Sequence, residues 1–213
     1  MNIKNITIIG TGNLGSRIGL QAAISSYNVI FYDISDSALS KAKASLEKLC
    51  NQLIKSNLLL EAKKEEALAR IEYAADLKKA LTDCDFISES VTEDLAIKEK
   101  VWKQIRDLAP TKTIFTTNTS YLLPSQLASI SGRPEKFCAF HFHDVFYARV
   151  VDIMPHSGTD LSLIPLLEEL GRKLNQVPVI VKKESPGYIF NFMLMALIGA
   201  AGRLKTKDIA SIE

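Results

Sequence analysis

The sequence predicts an α/β protein in which helices cover both faces of a doubly wound, mainly parallel sheet. Three observations predict this class. Apolar, strand-like runs alternate with helical stretches along most of the 213 residues. A glycine-rich turn joins the first such run, Ile6–Ile9, directly to a helical stretch. A second apolar run, Val29–Tyr32, follows that helix and ends in Asp33, which completes a βαβ unit.

The turn Gly10-Thr-Gly-Asn-Leu-Gly15 has the residues that a pyrophosphate site needs. Gly10 allows the tight turn, Gly12 lets the backbone approach the phosphates, and Gly15 lets the helix pack close to the strand. The backbone N–H groups at Asn13 and Leu14 then face the anion at the positive end of the helix. The alternative is an ordinary glycine-rich turn, because the motif alone is a weak signal.

Asp33 indicates which dinucleotide the turn binds. It lies about 20 residues beyond the glycine turn, where a carboxylate accepts hydrogen bonds from the ribose hydroxyls of NAD. Its charge would repel the 2′-phosphate of NADP. With strand, turn, helix, strand and acid in this order, the sequence predicts a Rossmann-type NAD-binding domain that prefers NAD over NADP.

The remaining elements continue the alternation. Helices are predicted at about residues 35–56, 60–69, 77–81, 94–108, 124–130 and 161–174, and strands at 71–73, 85–88, 113–116, 137–142, 150–154 and 178–181. Asn57 separates the first two helices, and Pro110 stops the fourth. The one predicted boundary is Ser185-Pro-Gly187. We therefore predict an NAD-binding domain over residues 1–185 and the first helix of a C-terminal helical domain over residues 186–213.

Composition and charge exclude some classes of function. The net charge of +2 gives no field that favours nucleic acid. The most apolar stretch, Phe192 to Ala201, is too short to span a bilayer, and the N-terminus does not resemble a signal peptide. Cys50, Cys84 and Cys138 have no metal-ligand spacing. We expect reduced, packed thiols, no metal site and a cytoplasmic protein.

Lys41, Lys48 and Lys55 recur at a constant spacing in the first long helix and therefore lie near one of its faces. A solvated basic face is the ordinary interpretation. The alternative is a rim that binds a phosphorylated substrate.

Four separated polar residues are candidates for one reaction centre: Ser120, His141, Asp152 and Asn191. Each lies at a predicted strand end or helix start, and ligands bind at the carboxyl edge of such sheets. Strand alternation places His143 on the same face as His141, so either imidazole qualifies. Asp152 lies between apolar neighbours and needs a partner, which an imidazolium would supply.

Taken singly, each of these residues also has an ordinary structural interpretation. Ser120 would be a turn hydroxyl or a helix cap, and His141 a hydrogen-bonded core histidine. Asp152 would end its strand through a local turn, and Asn191 would form a hydrogen bond at the start of its helix.

Six short motifs occur in one order along the chain: Gly10-Thr-Gly-Asn-Leu-Gly15, Glu89-Ser-Val-Thr-Glu93, Thr117-Asn118-Thr-Ser120, Phe140-His141-Phe142, Val151-Asp152-Ile153 and Ser185-Pro-Gly-Tyr-Ile-Phe-Asn191. The same order is found in the L-3-hydroxyacyl-CoA dehydrogenase family, which the chain resembles from about residue 3 to residue 213. The motifs are specific as a set, although no single one would suffice.

The resemblance implies a role for each candidate. In that family a histidine exchanges a proton with the 3-hydroxyl group of the substrate, a glutamate orients the histidine, and a serine and an asparagine hold the substrate oxygen. The matching positions are His141, Asp152, Ser120 and Asn191. Glu93, Lys98 and Asn118 are expected to bind the cofactor, the first two near the nicotinamide ribose. The helical region of residues 35–69 resembles the family's projecting helical tail, which lies beside coenzyme A.

The chain also departs from the family pattern. The family motif is usually His-Phe-Phe-Asn-Pro, whereas this chain has His141-Phe-His143-Asp-Val145. The acid is Asp152 rather than glutamate and lies one residue closer to the histidine, and Tyr121 replaces a second serine. Family members continue with further helices, which form much of the dimer interface and close the substrate cleft.

The sequence therefore predicts an NAD-dependent oxidoreductase that interconverts an L-3-hydroxyacyl-CoA and a 3-oxoacyl-CoA. His141 would be the general base with Asp152 on its other ring nitrogen, while Ser120 and Asn191 donate hydrogen bonds to the substrate oxygen. Two alternatives stay open: a dehydrogenase of a free hydroxy acid or sugar acid, as in the gulonate dehydrogenase and lambda-crystallin branch, and an NAD-binding protein with little activity. We expect a small-molecule substrate, neither nucleic acid nor membrane as partner, and a homodimer through the apolar helix of residues 188–204.

Overall fold

A computed structural model describes residues 3–209 and 211. Its centre is one sheet of eight strands: β1 (Asn5–Ile9), β2 (Asn28–Tyr32), β3 (Ile71–Ala74), β4 (Phe86–Glu89), β5 (Ile114–Thr117), β6 (Phe137–Phe142), β7 (Val150–Met154) and β8 (Val177–Ile180). The strands lie in the order β3-β2-β1-β4-β5-β6-β7-β8. The strand order therefore reverses between β1 and β4, and sheets of this kind bind their ligands beyond the carboxyl ends of the strands at such a point.

The helices fill the connections between these strands: α1 (Asn13–Ile24), α2 (Asp36–Lys55), α3 (Glu61–Leu68), α4 (Leu77–Leu81), α5 (Leu95–Leu108), α6 (Pro124–Ala128), α7 (Leu163–Lys173) and α8 (Phe190–Thr206). Strands β1 to β6 run parallel, β7 runs antiparallel to β6, and β8 runs parallel to β7. The predicted fold class, a mainly parallel Rossmann-type sheet with helices, is confirmed.

Strand β1 shows why both faces of the sheet are covered. Ile6 and Ile8 belong to one buried apolar cluster and Ile9 to another. The second cluster contains Trp102 of α5, whose ring packs against Phe137 of β6 at a centroid distance of 4.9 Å. A strand that is apolar on both faces is stable only between two layers of helices, so these residues fix the three-layer architecture.

The structure departs from the predicted elements in small ways. Pro134–Lys136 form a 3-10 turn that was not predicted, and the seventh helix begins at Leu163 rather than at residue 161. The predicted domain division at residue 185 stays a prediction, and its outer ends at residues 1 and 213 lie outside the described residues. All three cysteines are free and buried. In the described part of the chain, no helix is both long and apolar enough to cross a membrane.

Helix α8 differs from the other helices because it is apolar and yet exposed. Phe192 and Leu197 expose 69% and 68% of their surface, and Met193 and Ile198 expose more than half of theirs. Every residue of α8 that the structure describes is at least partly exposed. The helix thus presents a large apolar surface to solvent.

Candidate functional site

The glycine turn between β1 and α1 has the geometry that the motif predicts. Gly10 has a φ of +97°, and a Cβ at Gly15 would lie 2.2 Å from the carbonyl oxygen of Gly10. At Gly12, in contrast, a Cβ would meet nothing within 4 Å. Gly12 directly precedes α1 and has no side chain to cap it, so the N–H groups of Asn13 and Leu14 are oriented for an anion.

Asp33 lies at the carboxyl end of β2, directly beside this turn. Its Oδ2 accepts hydrogen bonds from the backbone N–H of Thr11 at 3.1 Å and from the Thr11 hydroxyl at 2.9 Å. Its Oδ1 accepts a hydrogen bond from the N–H of Ser35 at 3.1 Å. These bonds fix the carboxylate next to the phosphate turn, which is the position that a ribose-binding acid requires.

A buried ion network lies beyond β4. Lys98 of α5 is only 1% exposed, and its Nζ lies 2.6 Å from Glu89 Oε1 and 3.5 Å from Glu93 Oε2. Lys98 also donates a hydrogen bond to the carbonyl of Val91 at 3.2 Å. Two N–H groups of the ammonium therefore donate hydrogen bonds to protein oxygens, and Glu93 lies at ion-pair distance. Contact of Lys98 with a cofactor stays a prediction, and the contacts present indicate that it orients Glu93.

Glu93 holds the loop that carries Ser120. Its Oε1 accepts hydrogen bonds from the hydroxyl of Thr119 and from the backbone N–H groups of Ser120 and Tyr121. Burial alone would raise the pKa of Glu93, but the bonds from Thr119, Tyr121 and Ser120 and the charge of Lys98 outweigh it and lower the pKa below its ordinary value. Glu93 is thus an anion that fixes the substrate-side loop.

His141 lies in β6 at the carboxyl edge of the sheet and is only 2% exposed. Its Nδ1 lies 3.0 Å from the carbonyl oxygen of Asn118. Because a carbonyl can only accept, Nδ1 carries the proton and Nε2 of the neutral ring keeps its lone pair. Burial first, and then the neighbouring His143, lower the pKa of His141 from its ordinary value to about 4. His141 is therefore neutral near pH 7.

The expected hydrogen bond between His141 and Asp152 is not formed. The two residues are opposite each other in the β6–β7 pair, but Asp152 Oδ2 lies 2.7 Å from Nε2 of His143. The physical reason is that a neutral imidazole has one N–H, and that of His141 is already bonded to Asn118. Asp152 also lies in the middle of β7 rather than at its end, and it reaches the carboxyl edge of β6 because β7 is antiparallel.

The segment before α8 covers both imidazoles. The ring of Tyr188 stacks on His141 at a centroid distance of 4.7 Å, and that of Phe190 packs on His143 at 4.3 Å. The Tyr188 hydroxyl donates a hydrogen bond to the carbonyl of Thr119 at 2.8 Å. Burial raises the pKa of Tyr188 well above its ordinary value, so this hydroxyl stays protonated.

Ser120 and Asn191 come together through Gly187. The N–H of Gly187 donates a hydrogen bond to the carbonyl of Ser120 at 3.2 Å, and a Cβ at Gly187 would lie 3.7 Å from the Cβ of Asn191. The structure therefore brings all four predicted residues to one edge of the sheet. Ser120 and Asn191 are both partly exposed, so the hydroxyl and the amide can be reached by a ligand.

A cavity of about 440 Å³ separates the glycine turn from α2. Lys41 and Lys48 line it, together with Arg17 and residues of the turn, whereas Lys55 is not part of its lining. The periodic lysines therefore divide into two that border the cofactor turn and one that does not. Among residues 3–209 and 211, no three His, Cys, Asp or Glu side chains are grouped as a metal site would require.

Sequence reasoning assigned no role to Glu89 and assigned Asn118 only to the cofactor. In the structure, the backbone carbonyl of Asn118 orients the ring of His141. The side chain of Asn118 contacts β6, because its Oδ1 accepts a hydrogen bond from the N–H of Phe142 at 2.7 Å. Every residue has a backbone carbonyl, so the contact between the Asn118 carbonyl and His141 could not be predicted from the sequence. The polar run that ends β5 was the only available signal.

Comparisons with known proteins show which family the chain is similar to. Residues 5–185 match the family model described as "3-hydroxyacyl-CoA dehydrogenase, NAD binding domain". A 3-hydroxybutyryl-CoA dehydrogenase of Clostridioides difficile is 31% identical over 98% of this chain and 74% of its own length. A solved diketoreductase, described by its catalysis of dicarbonyl compounds, is 37% identical with a TM-score of 0.93 over 99% of this chain and 75% of that chain. The (S)-3-hydroxybutyryl-CoA dehydrogenase PaaH1 from Ralstonia eutropha is 30% identical with a TM-score of 0.89 over 99% of this chain and 74% of that chain.

Proposed function

The chain belongs to the 3-hydroxyacyl-CoA dehydrogenase family, and we propose that it interconverts an L-3-hydroxyacyl-CoA and a 3-oxoacyl-CoA with His141 as the proton acceptor. The family membership makes it an NAD-dependent oxidoreductase. The observation that carries the proposal is the state of His141. It is neutral and its Nδ1–H is bonded to Asn118, so the lone pair of its Nε2 can accept a proton.

The glycine turn fits NAD. The space beyond Gly12, the uncapped N–H groups of Asn13 and Leu14, and the fixed carboxylate of Asp33 are matched to a pyrophosphate and a ribose. NAD bound at this turn would supply the acceptor for the hydride of the substrate carbon. Glu93 fixes the loop of Ser120 next to the region where the nicotinamide ribose is expected.

The protein's own residues then handle the proton and the oxygen. Nε2 of His141 takes the proton of the substrate hydroxyl as the carbonyl forms, which is worth on the order of 10²–10⁴ in rate. The Ser120 hydroxyl and the Asn191 amide donate hydrogen bonds to the oxygen as its charge changes. In the reverse direction the imidazolium of His141 returns the proton.

The test replaces each imidazole in turn. We expect His141→Ala to lower kcat by on the order of 10² or more with acetoacetyl-CoA and NADH, while the Kd for NADH stays nearly unchanged. A mild effect of His141→Ala beside a severe effect of His143→Ala would move the base to His143. Equal, small effects of both would contradict imidazole catalysis and favour an NAD-binding protein with little turnover.

Substrate class is the second proposal, and the two lysines beside the turn support a coenzyme A ester. Lys41 and Lys48 line the 440 Å³ cavity and would pair with phosphate groups. The double variant Lys41→Ala/Lys48→Ala should raise KM for acetoacetyl-CoA by about tenfold or more, which corresponds to about 1.4 kcal/mol. Lys55→Ala, on the same helix but outside the cavity, is the matched control and should leave KM unchanged.

The diketoreductase similarity favours one alternative, a free dicarbonyl or hydroxy acid substrate without coenzyme A. Acetoacetate with NADH, assayed beside acetoacetyl-CoA, separates the two. Faster turnover of acetoacetate, together with no effect of the lysine substitutions, would favour this alternative.

The exposed surface of α8 supports self-association, most simply as a two-fold homodimer in which the helices pack against each other. Light scattering at micromolar concentration measures it. A monomeric wild-type protein whose Leu194→Asp and Ile198→Asp variants are equally soluble would contradict this proposal. A cytoplasmic location, a small-molecule substrate and the absence of nucleic-acid and membrane partners stay predictions.

A further inference from the structure

Two imidazoles lie close to the buried carboxylate of Asp152, and this carboxylate is bonded to His143, the imidazole that has no bond to Asn118. The side chain of Asp152 is fully buried, and that of His143 is 5% exposed. The rings of His141 and His143 meet nearly perpendicular, with centroids 4.6 Å apart. His143 is therefore the link between the acid and the proposed base.

This arrangement divides two tasks that a single carboxylate performs in a direct histidine–acid pair, namely fixing the tautomer and stabilising the imidazolium. The Asn118 carbonyl fixes the tautomer of His141. Asp152 has no hydrogen bond to His141 within the described chain, and its Oδ1 is buried with no partner there. The negative charge of Asp152 thus lies beside the rings of His141 and His143, and its one hydrogen bond among the described residues is the bond from His143 to Oδ2.

We propose that His143 is a positioning residue: it holds the carboxylate of Asp152 beside the ring of His141, so that Asp152 acts on His141 through its charge and not through a hydrogen bond. This inference rests on the proposed function of His141. The substrate hydroxyl proton goes to Nε2 of His141, the hydride goes to NAD, and Nδ1–H stays bonded to Asn118. The resulting imidazolium is stabilised by the charge of Asp152, while His143 keeps its Nε2–H on the carboxylate.

The other groups around His141 do not replace Asp152. Glu93 is a second carboxylate that favours the cation, but it is bonded to three donors of the Thr119–Tyr121 loop and paired with Lys98. Tyr188 stacks on the ring and stays protonated. Asp152 is thus the acid whose charge remains directed at the imidazoles.

Nitrogen NMR tests the hydrogen bonds without any need for activity. The chain has only three histidines, so long-range ¹H–¹⁵N spectra can be assigned from single variants. We expect His141 as the Nδ1–H tautomer and His143 with a proton on Nε2. His156 is the internal reference, because its Nε2 donates to the carbonyl of Pro134 and its Nδ1 accepts from Gly158.

The decisive variant in these spectra is Asp152→Asn, which keeps an oxygen acceptor and removes the charge. We expect the tautomer of His141 to be unchanged and the resonances of His143 to shift. A switch of His141 to the Nε2–H tautomer would overturn the proposal, because it would mean that Asp152 fixes His141 directly.

Kinetics test the effect on the reaction. His143→Phe removes the donor to Asp152 and should lower kcat by about tenfold or more with KM for NADH within about twofold. His143→Gln restores an N–H for Asp152 and should recover most of that loss. Unchanged kcat in His143→Phe, or a His143→Gln variant as impaired as His143→Phe, would contradict the positioning role.

Asp152→Asn should also lower kcat by about tenfold or more, and this result stands even where His143→Phe fails to fold. The two proposals fail in different ways. Absence of turnover in the wild-type protein with every substrate would contradict the proposed function, whereas the spectra would still decide which imidazole holds Asp152.

Discussion

Alanine substitutions at Gly12 and Gly15 separate cofactor binding from folding, because the two glycines have opposite surroundings. A Cβ at Gly12 would meet nothing within 4 Å, and the backbone there has a φ of −62°, which alanine adopts readily. The methyl group would project into the space assigned to the pyrophosphate. We expect Gly12→Ala to leave the free energy of unfolding within about 0.5 kcal/mol of wild type. The Kd for NADH should rise about tenfold or more, equivalent to about 1.4 kcal/mol.

Gly15→Ala acts on the fold instead. Its Cβ would lie 2.2 Å from the Gly10 carbonyl oxygen, whereas a carbon and an oxygen normally approach to about 3.3 Å. The turn or α1 must therefore move by about 1 Å, and overpacking of this kind costs about 1–3 kcal/mol. For a chain of this size that lowers Tm by roughly 2–12 °C.

Thermal unfolding of the apoprotein and fluorescence titration with NADH measure the two effects. Gly202→Ala is the matched control, because Gly202 lies in the exposed helix α8 and an added Cβ would meet nothing within 4 Å. This substitution should lower neither Tm nor the affinity for NADH. Wild-type NADH affinity in Gly12→Ala would refute the pyrophosphate site. A Gly15→Ala variant as stable as wild type would refute the packing of α1 against the turn.

Three further predictions concern other parts of the molecule. Asp33→Ala should weaken NADH binding and reduce the preference for NADH over NADPH, because the carboxylate binds the ribose and repels a 2′-phosphate. Tighter binding of NADPH than of NADH by the wild type would contradict this prediction. The free energy of unfolding should fall by up to about 3 kcal/mol as the pH drops from 6.5 to 4, since the unfolded chain protonates His141 near pH 6.5 and the fold lowers that pKa to about 4. Urea unfolding at several pH values checks it, and His141→Gln should lack this part of the fall. Ile198→Asp in α8 should shift light scattering toward the monomer, and an unchanged molar mass would exclude α8 as the contact.

Much of the fold was predictable because short-range patterns determine it. The order of strands and helices follows from apolar runs such as β1, which must be covered on both faces. The glycine turn and Asp33 were predictable for the same reason, since their spacing within one βαβ unit is fixed by local geometry. The predicted interruption at Asn57 is also local: Asn57 lies between α2 and α3 and has a φ of +57°, which ends the helical conformation.

The partners of side chains far apart in the sequence were not predictable in the same way. Alternation placed His141 and His143 on one face, and the antiparallel pairing of β6 with β7 placed Asp152 opposite His141. Which imidazole receives the carboxylate depends on the Asn118 carbonyl, which lies 3.0 Å from Nδ1 and occupies the one N–H of His141.

The alternation of elements, the phosphate turn and the candidate residues could be predicted from the sequence, because these depend on residue type and spacing along one segment. The pairing of Asp152 with His143 and the enclosure of Lys98 by Glu89 and Glu93 became evident only from the three-dimensional arrangement. Hydrogen bonds and burial are set by competition among groups that folding brings together, and a local pattern contains no information about that competition.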